Sequence, residues 1–414
     1  MSARICLISS GHAASTPRLV KNASALAEAG YAVHVVAASY HPPLDALDRE
    51  IFASAGWTHT VVNSQHGPAA FGRKLRRRLL RPWAARRPFA SVWLAARLQH
   101  AEALHLGAAA ARVPAQLYLG HCLPGLPAAA WAARARGVPY GFDAEDFHDA
   151  ETEDAIRDPV ESAARRTIQS ALLPGCVHLT AASPLISRQY ERAYGVSPLT
   201  LLNVFPLAEA PATPAEPGPI TAERPARLYW FSQTTGSGRG LEAVIAIAAR
   251  MRTPVELRLR GFVTPDTRSR FDALAKAAGL LRPIVFLPPG PASEMARLAS
   301  GCDLGLSTEE RQPLNRDLCL TNKIFTYLLG GIPQLLSATA AQQALAPELG
   351  NAALLGDLAD PAAVARRLDE FLSDPARLAD ARRTARELAR HPFCWDLEKE
   401  KLLASIRRHL PRPA

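Results

Sequence analysis

Apolar and polar residues alternate in blocks along this chain, and the blocks have the lengths of strands and helices that follow one another. Ile5-Cys6-Leu7-Ile8 is a short apolar run closed by Ser9-Ser10-Gly11-His12, a strand entering a loop. Thr16 is then placed to cap a helix that opens on Pro17, carries Leu19, Val20, Ala23, Leu26 and Ala27 on one face, and stops at Gly30. A strand around Val33 to Val36 follows. The unit recurs as Leu117-Tyr118-Leu119, a helix from about Leu126 to Arg136, a stop at Gly137 and a strand at Tyr140 to Phe142. Strands alternating with helices predict a doubly wound parallel α/β sheet.

The pattern breaks after Asn203. Prolines at 206, 211, 214, 217, 219 and 225, with few apolar residues between them, predict an extended linker. It then restarts with Leu228-Tyr229-Trp230-Phe231, the loop SQTTGSGRG and a helix from Leu241 to about Met251. Strands are predicted at Val255 to Leu259, Ile284 to Leu287 and Asp303 to Leu306, with helices between them. The chain therefore reads as a first α/β domain over 1–205, a linker over 206–226, a second α/β domain over 227–390, and a closing helical segment over 391–414 that returns to the first domain. Two such domains place a cleft at the carboxyl ends of their strands, where open α/β sheets bind ligands.

Composition narrows the class. Of 414 residues 48% are hydrophobic and 21% charged, as in folded globular proteins, and no apolar run approaches the ~20 residues of a membrane-spanning helix. The first apolar stretch is too short for a signal peptide. Six scattered cysteines without a CxxC pair or a His/Cys cluster suggest neither a disulfide framework nor a metal site, and fit a reducing cytoplasm.

The net charge of +10 has one source. No acidic residue lies between Glu50 and Glu102, a stretch holding Arg73, Lys74, Arg76, Arg77, Arg78, Arg81, Arg86, Arg87 and Arg97; without them 39 basic residues face 38 acidic ones. Within FGRKLRRRLLRPW, Phe71, Leu75, Leu79 and Trp83 recur every four residues, as do Arg73, Arg77 and Arg81 on another face, until Pro82. Such a helix can lie on an anionic bilayer through Arg73, Lys74, Arg76, Arg77, Arg78 and Arg81, or pack its apolar side on the domain. Nucleic acid is disfavoured because no aromatic stacking platform accompanies the arginines.

Two segments carry candidate chemistry. Gly236-Ser237-Gly238-Arg239-Gly240 sits between a strand and a helix, where free N–H groups and the helix dipole favour an anion and Arg239 adds a phosphate donor. The spacing alone fits a flexible turn equally well. Thr321-Asn322-Lys323-Ile324-Phe325-Thr326-Tyr327-Leu328-Leu329-Gly330-Gly331-Ile332-Pro333 reads as a helix ended by a double glycine before a strand. It resembles the nucleotide-binding segment of retaining glycosyltransferases of the family 4 type, N-K-x-F-E-Y-x-x-x-G-x-P, at Asn322, Lys323, Phe325, Tyr327, Gly331 and Pro333. SxxPR with the helix after it, LYLGHCLPGLPAAAWAARARGVPYGFDAEDFHD, LTAASPLISRQYERAYG, WFSQTTGSGRGLE and FCWDLEKEKLL resemble other parts of the family in the same order. Residues 51 to 100 and the linker lie outside the resemblance.

The resemblance implies a GT-B architecture, two Rossmann-like domains facing a cleft, and transfer of a sugar from a nucleotide diphosphate-sugar donor to an acceptor hydroxyl with retention, without a protein nucleophile or a required metal or other cofactor. It implies that Gly11 faces the donor, that Gly236, Gly238, Arg239, Asn322 and Lys323 bind it, that His121 contacts the sugar near its reacting carbon, and that Asp143 lies in register beside it. Glu145, Asp146 and His148 follow Asp143 in a polar cluster suited to an acceptor hydroxyl or to solvation. Lipid-linked or glycan acceptors, envelope or exopolysaccharide assembly, and a cytoplasmic location, peripheral on the inner face of the cell membrane, follow from the same resemblance. One departure stands out: the family's E-x7-E acids are replaced by Leu318 and Thr326. A hydroxyl at Thr326 can still bond a ribose, but without charge assistance. Glu309 or Glu310 could supply the carboxylate from another place. Alternatives to transfer are a nucleotide-sugar 2-epimerase of the same architecture, which needs no acceptor, and a non-catalytic GT-B partner protein.

Overall fold

A computed structural model describes residues 2–64, 68–84, 89, 91–153, 156–213, 215–216 and 218–410. Arg86, Arg87, linker residues Pro214 and Pro217 and the side chain of Trp83 lie outside the described set. The chain divides into two compact units, one formed by 1–201 with 399–414 and the other by 202–398.

The first unit holds a seven-stranded parallel sheet made of β1 (Arg4–Ser9), β2 (Ala32–Ser39), β3 (Thr58–Asn63), β4 (Leu117–His121), β5 (Tyr140–Glu145), β6 (Cys176–Ala181) and β7 (Leu199–Thr200), in the order β3-β2-β1-β4-β5-β6-β7. The second holds a six-stranded parallel sheet made of β8 (Ala226–Thr234), β9 (Val255–Phe262), β10 (Val285–Leu287), β11 (Leu304–Ser307), β12 (Gln334–Ser337) and β13 (Ala353–Gly356), in the order β10-β9-β8-β11-β12-β13. Both are doubly wound, as the alternation of strands and helices predicts. In each, the order reverses between the first strand and one added later, β1 beside β4 and β8 beside β11, and the loops there diverge to leave a crevice.

Helix boundaries follow the expected signals with two adjustments. The helix after β1 spans Pro17–Glu28, but Thr16 does not cap it: its hydroxyl donates to the carbonyl of His12 at 3.0 Å and so ties down the preceding loop. The helix after β4 spans Cys122–Arg136, a turn earlier than its pattern suggests, and stops at Gly137 with φ 68°. Its early start depends on Gly120 and Gly125, since a Cβ on Gly120 would lie 2.3 Å from the Gly125 carbonyl oxygen. The second unit's core gathers Trp230, Leu257 and Leu259 from the strands and Leu241, Val244, Leu368 and Phe371 from the helices, all nearly inaccessible.

The basic helix spans Pro68–Ala84. Its inward face is built from Ala70, Arg73 and Arg77: Arg73 pairs with buried Glu102 at 2.7 Å, Arg77 donates to the Leu98 carbonyl at 2.7 Å, and Arg81 pairs with Asp158. Those three arginines are therefore engaged within the unit, against the expectation that all six basic residues face a membrane. Arginine's long stem packs well, and its guanidinium finds partners at the rim. The apolar stripe points outward, with Phe71 68%, Leu75 44% and Leu79 70% exposed, beside exposed Lys74, Arg76 and Arg78.

Candidate functional site

In the second unit the crevice between β8 and β11 brings the two candidate segments together. The loop after β8 ends with Gly238 at φ 70° and Gly240 at φ 69°, the latter capping the helix Leu241–Ala248. A Cβ at Gly240 would lie 2.1 Å from the Thr308 carbonyl oxygen, so glycine is required where the loop meets the end of β11. Arg239 keeps its guanidinium partly exposed, and the Thr308 hydroxyl donates to its carbonyl at 3.2 Å. Across the crevice, the helix Asn322–Leu329 carries Lys323, only 3% exposed.

Glu309 links them. Its carboxylate pairs with the Lys323 ammonium, and its second oxygen lies 3.9 Å from Arg239. Burial alone would push its pKa up, but Lys323, with Arg239 and Arg316 behind it, holds it below the ordinary value. Lys323 also lies 5.6 Å from the centre of the Trp230 ring. Glu310 accepts the Gly240 N–H at 3.2 Å, so a carboxylate already occupies the anion position at this helix N-terminus. Arg316, which the sequence reading did not single out, donates to the Gly238 carbonyl.

The remaining motif residues divide by role. Tyr327 donates to the carbonyls of Tyr229 and Leu306, each at 3.1 Å, and lies under Gly305, where a Cβ would come within 2.4 Å of the ring. It stitches β8 to β11. Phe325 packs against Phe393, with ring centres 5.6 Å apart. Asn322 begins the helix, and its carbonyl accepts the Thr326 hydroxyl at 3.0 Å. Thr326, 2% exposed, is thus committed to its own helix, which corrects the expectation of a ribose-facing hydroxyl. The relocated carboxylate expected at Glu309 is likewise occupied, by the cations of the loop and helix. Gly236 stands in the loop with nothing within 4 Å of a would-be Cβ.

In the first unit the crevice between β1 and β4 is lined from beneath by a buried charge cluster. His121 ends β4, opposite Ser9 on one side and Asp143 on the other. Asp143, 3% exposed, accepts from Arg18 and from Thr180 at 2.8 Å, and lies 3.4 Å from both Asn22 Nδ2 and His121 Nδ1. Arg18, itself 1% exposed, also donates to the Leu201 carbonyl at 2.6 Å. Burial opposes the Asp143 charge, yet the Arg18 guanidinium lowers its pKa to about 2. Burial lowers His121 to about 4 despite Asp143, so at neutral pH the imidazole is neutral, with its Nε2 lacking a hydrogen-bond partner among the described residues. His121 and Asp143 do meet, as the register implied. Asp143 serves to hold Arg18 and His121, and both its oxygens are engaged.

Gly11 lies in the loop after β1, its N–H bonded to the Ser9 hydroxyl at 3.0 Å. The next residue, His12, anchors that loop: Nδ1–H donates to Asp48 at 2.7 Å, and Nε2 accepts the Tyr40 and His41 N–H groups at 2.9 and 2.8 Å. His12, Asp45 and Asp48 form the one His/Asp group among the described residues with metal-ligand spacing. Because both imidazole nitrogens are committed to protein partners, the cluster is a clamp.

No family model matches the chain, and no curated protein matches it in sequence. Solved structures do match its fold. Sucrose-phosphate synthase from Thermosynechococcus elongatus superposes with a TM-score of 0.69 at 16% identity, covering 98% of each chain. Anabaena HepE in complex with UDP-glucose does so at 0.70 and 14% identity, over 98% of this chain and 99% of its own. A glycosyltransferase from Rickettsia africae reaches 0.66 at 13% identity over both full lengths. At these identities the likeness defines architecture: the fold is the two-domain Rossmann-like GT-B fold.

Proposed function

We propose that this protein is a glycosyltransferase that moves a sugar from a nucleoside diphosphate donor to an acceptor hydroxyl. The observation that carries the reading is the convergence of Lys323, Arg239 and the glycine loop at the second unit's switch point. A diphosphate arriving there meets two cations and a helix N-terminus, which stabilise the charge that develops as the bond to the sugar breaks. Glu309 keeps the cations in place beforehand, and Glu310 yields the Gly240 N–H to the phosphate. The HepE complex with UDP-glucose supports a nucleotide-sugar as the donor class. Retention at the transferred carbon rests on the family 4 resemblance alone. Thr326 favours one rival, a non-catalytic GT-B protein, because a threonine bonded to its own helix offers a ribose neither the family's carboxylate nor a free hydroxyl.

A thermal-shift panel of UDP, GDP, ADP and their glucose conjugates tests the reading. One nucleotide should raise the apparent stability by about 2.7 kcal/mol at a hundred times its Kd, and its sugar conjugate should be consumed with release of the diphosphate. Binding without turnover, with or without added saccharide, would favour the non-catalytic rival.

The outward ridge of Phe71, Leu75 and Leu79 beside Lys74, Arg76 and Arg78 completes the proposal with a peripheral seat on an anionic membrane, where a lipid-linked acceptor would be met. No helix among the described residues is long and apolar enough to cross a bilayer. The protein should sediment with phosphatidylglycerol vesicles at low salt. Changing Lys74, Arg76 and Arg78 to glutamine should cost about 1 kcal/mol each, and Phe71→Ser should add to the loss. Sedimentation indifferent to both would remove the membrane from the proposal.

A further inference from the structure

The second unit carries another concentration of positive charge at the amino end of β11, and so at the opposite end of its parallel sheet from the glycine loop. Asp303, fully buried just before β11, stands at its centre. One of its oxygens accepts from Arg224 at 2.9 Å and lies 3.5 Å from Arg382, and the other accepts the Arg227 N–H at 2.9 Å. The Arg227 guanidinium itself turns to the Gly301 carbonyl at 3.3 Å. Arg386 stands one turn beyond Arg382 on the helix Pro375–Arg390, its stem over Gly331, where a Cβ would come within 2.8 Å of it.

Donors outnumber acceptors here. Arg382 is 5% exposed and donates through Nη2 to the Cys302 carbonyl at 2.5 Å, yet its Nε and Nη1 have no hydrogen-bond partner among the described residues, and neither has Arg224 Nη1. A guanidinium does not escape such a position by losing its proton. Charge is unbalanced in the same sense, because Arg224, Arg382 and Arg386 meet the single carboxylate of Asp303. Burial lowers the Arg382 pKa to about 10, with Arg224 and Arg386 adding to the fall and Asp303 opposing it. Docking of the helix Pro375–Arg390 on β11 accounts for the bonds to Asp303 and Cys302, but not for the donors left over.

The missing acceptor has a definite chemistry. It brings several oxygens, no competing donors and about two negative charges, the excess of three guanidiniums over one carboxylate. A phosphate group, at about −1.5 to −2 near neutrality, meets that description, whereas a carboxylate would offset only half of the excess. Arg224, with its side chain 22% exposed, and half-buried Arg386 keep the cluster within reach of solvent.

We infer that Arg224, Arg382 and Arg386 form a phosphate-binding site at the amino end of β11, separate from the crevice proposed for the nucleotide and independent of the transfer reading. The test uses the full chain with inorganic phosphate and a phosphate monoester, glycerol 3-phosphate, as probes. Affinity is read from phosphorus NMR line broadening, and thermal unfolding is compared with sodium chloride at equal ionic strength. At least one probe should bind and raise the melting temperature above the chloride control. Arg224→Gln and Arg382→Lys, the second of which keeps a cation beside Asp303, should each weaken that binding about tenfold while retaining the wild-type far-ultraviolet circular dichroism. Arg239→Ala should leave it unchanged, which separates this site from phosphate entering the crevice. Tighter binding of the ester than of the free ion would name a phosphorylated metabolite as the ligand, and the reverse would name phosphate itself. Binding of neither probe would mean that water meets the spare donors, and undiminished binding in both arginine variants, or its loss in Arg239→Ala, would place phosphate elsewhere; each of these results overturns the inference.

Discussion

Lys323→Ala will destabilise the second unit by about 3–5 kcal/mol and abolish binding of whichever nucleoside diphosphate, UDP, GDP or ADP, the wild type binds. The first effect arises because Glu309, 2% exposed, would remain as a buried carboxylate stripped of its main counter-ion. The second arises because the phosphate loses the cation that replaces its hydration. The two effects are separable. In Lys323→Met combined with Glu309→Leu no buried charge is orphaned, so urea unfolding should return close to the wild-type midpoint while nucleotide affinity stays lost. Arg239, partly exposed and remote from the core, gives the complementary case: Arg239→Ala should cost about 1.5–3 kcal/mol of nucleotide affinity with little change in stability. Wild-type affinity in the double variant would place the diphosphate elsewhere.

Asp143→Ala should destabilise the first unit by a similar amount, about 3–5 kcal/mol, by leaving Arg18 buried without its carboxylate. Its pH dependence has a definite sign. The Asp143 pKa is depressed from 3.8 to about 2, so its contribution is fully present above 3.8 and is lost as pH falls through about 2. His121 and His178 are depressed from 6.5 to about 4, and the stability tied to their neutrality is lost earlier, as pH falls from 6.5 through about 4. Glu145, raised from 4.5 to about 7, works in the opposite direction, contributing fully below 4.5 and losing its contribution as pH rises through about 7. Glu151, held down to about 2 against burial by His148 and Arg165, shares the lowest acid step, so unfolding of Asp143→Asn followed against pH should show a smaller loss there and keep the histidine step. A step near pH 2 undiminished in the variant would assign all of it to Glu151.

The repeating strands and helices, the glycine stops and the meeting of His121 with Asp143 were legible in the sequence because each depends on local pattern or on neighbouring strands of a parallel sheet. What escaped depends on contacts distant along the chain. Nothing near Arg18 announces that its carboxylate partner stands 125 residues away. Periodicity divides the helix Pro68–Ala84 into an apolar and a basic face, but which face packs is decided by Glu102 and Asp158 on other elements. Thr326 matches the ribose position of the family its segment resembles, yet a threonine inside a helix readily bonds the carbonyl one turn back, as this one does at Asn322. The left-handed backbone at Cys122 and Glu145 carries no compositional sign, since neither residue type favours it.

The first unit is assembled from both ends of the sequence. Its closing segment supplies Leu402 and Ile406, fully buried, the Ser405 hydroxyl that meets His178 at 2.8 Å, and the Leu410 carbonyl that accepts from Tyr31 at 2.8 Å. On the ribosome the order of completion is therefore the reverse of the order of synthesis. The second unit has all its residues once 398 has been added, whereas the first, begun long before, must wait with part of its core open until about residue 410. The long intervening chain adds little to the cost of that late closure, because loop entropy grows by only about 0.6 kcal/mol per doubling of length. A released chain ending at residue 398 should accordingly have a protease-sensitive first unit beside a second unit that has all its residues.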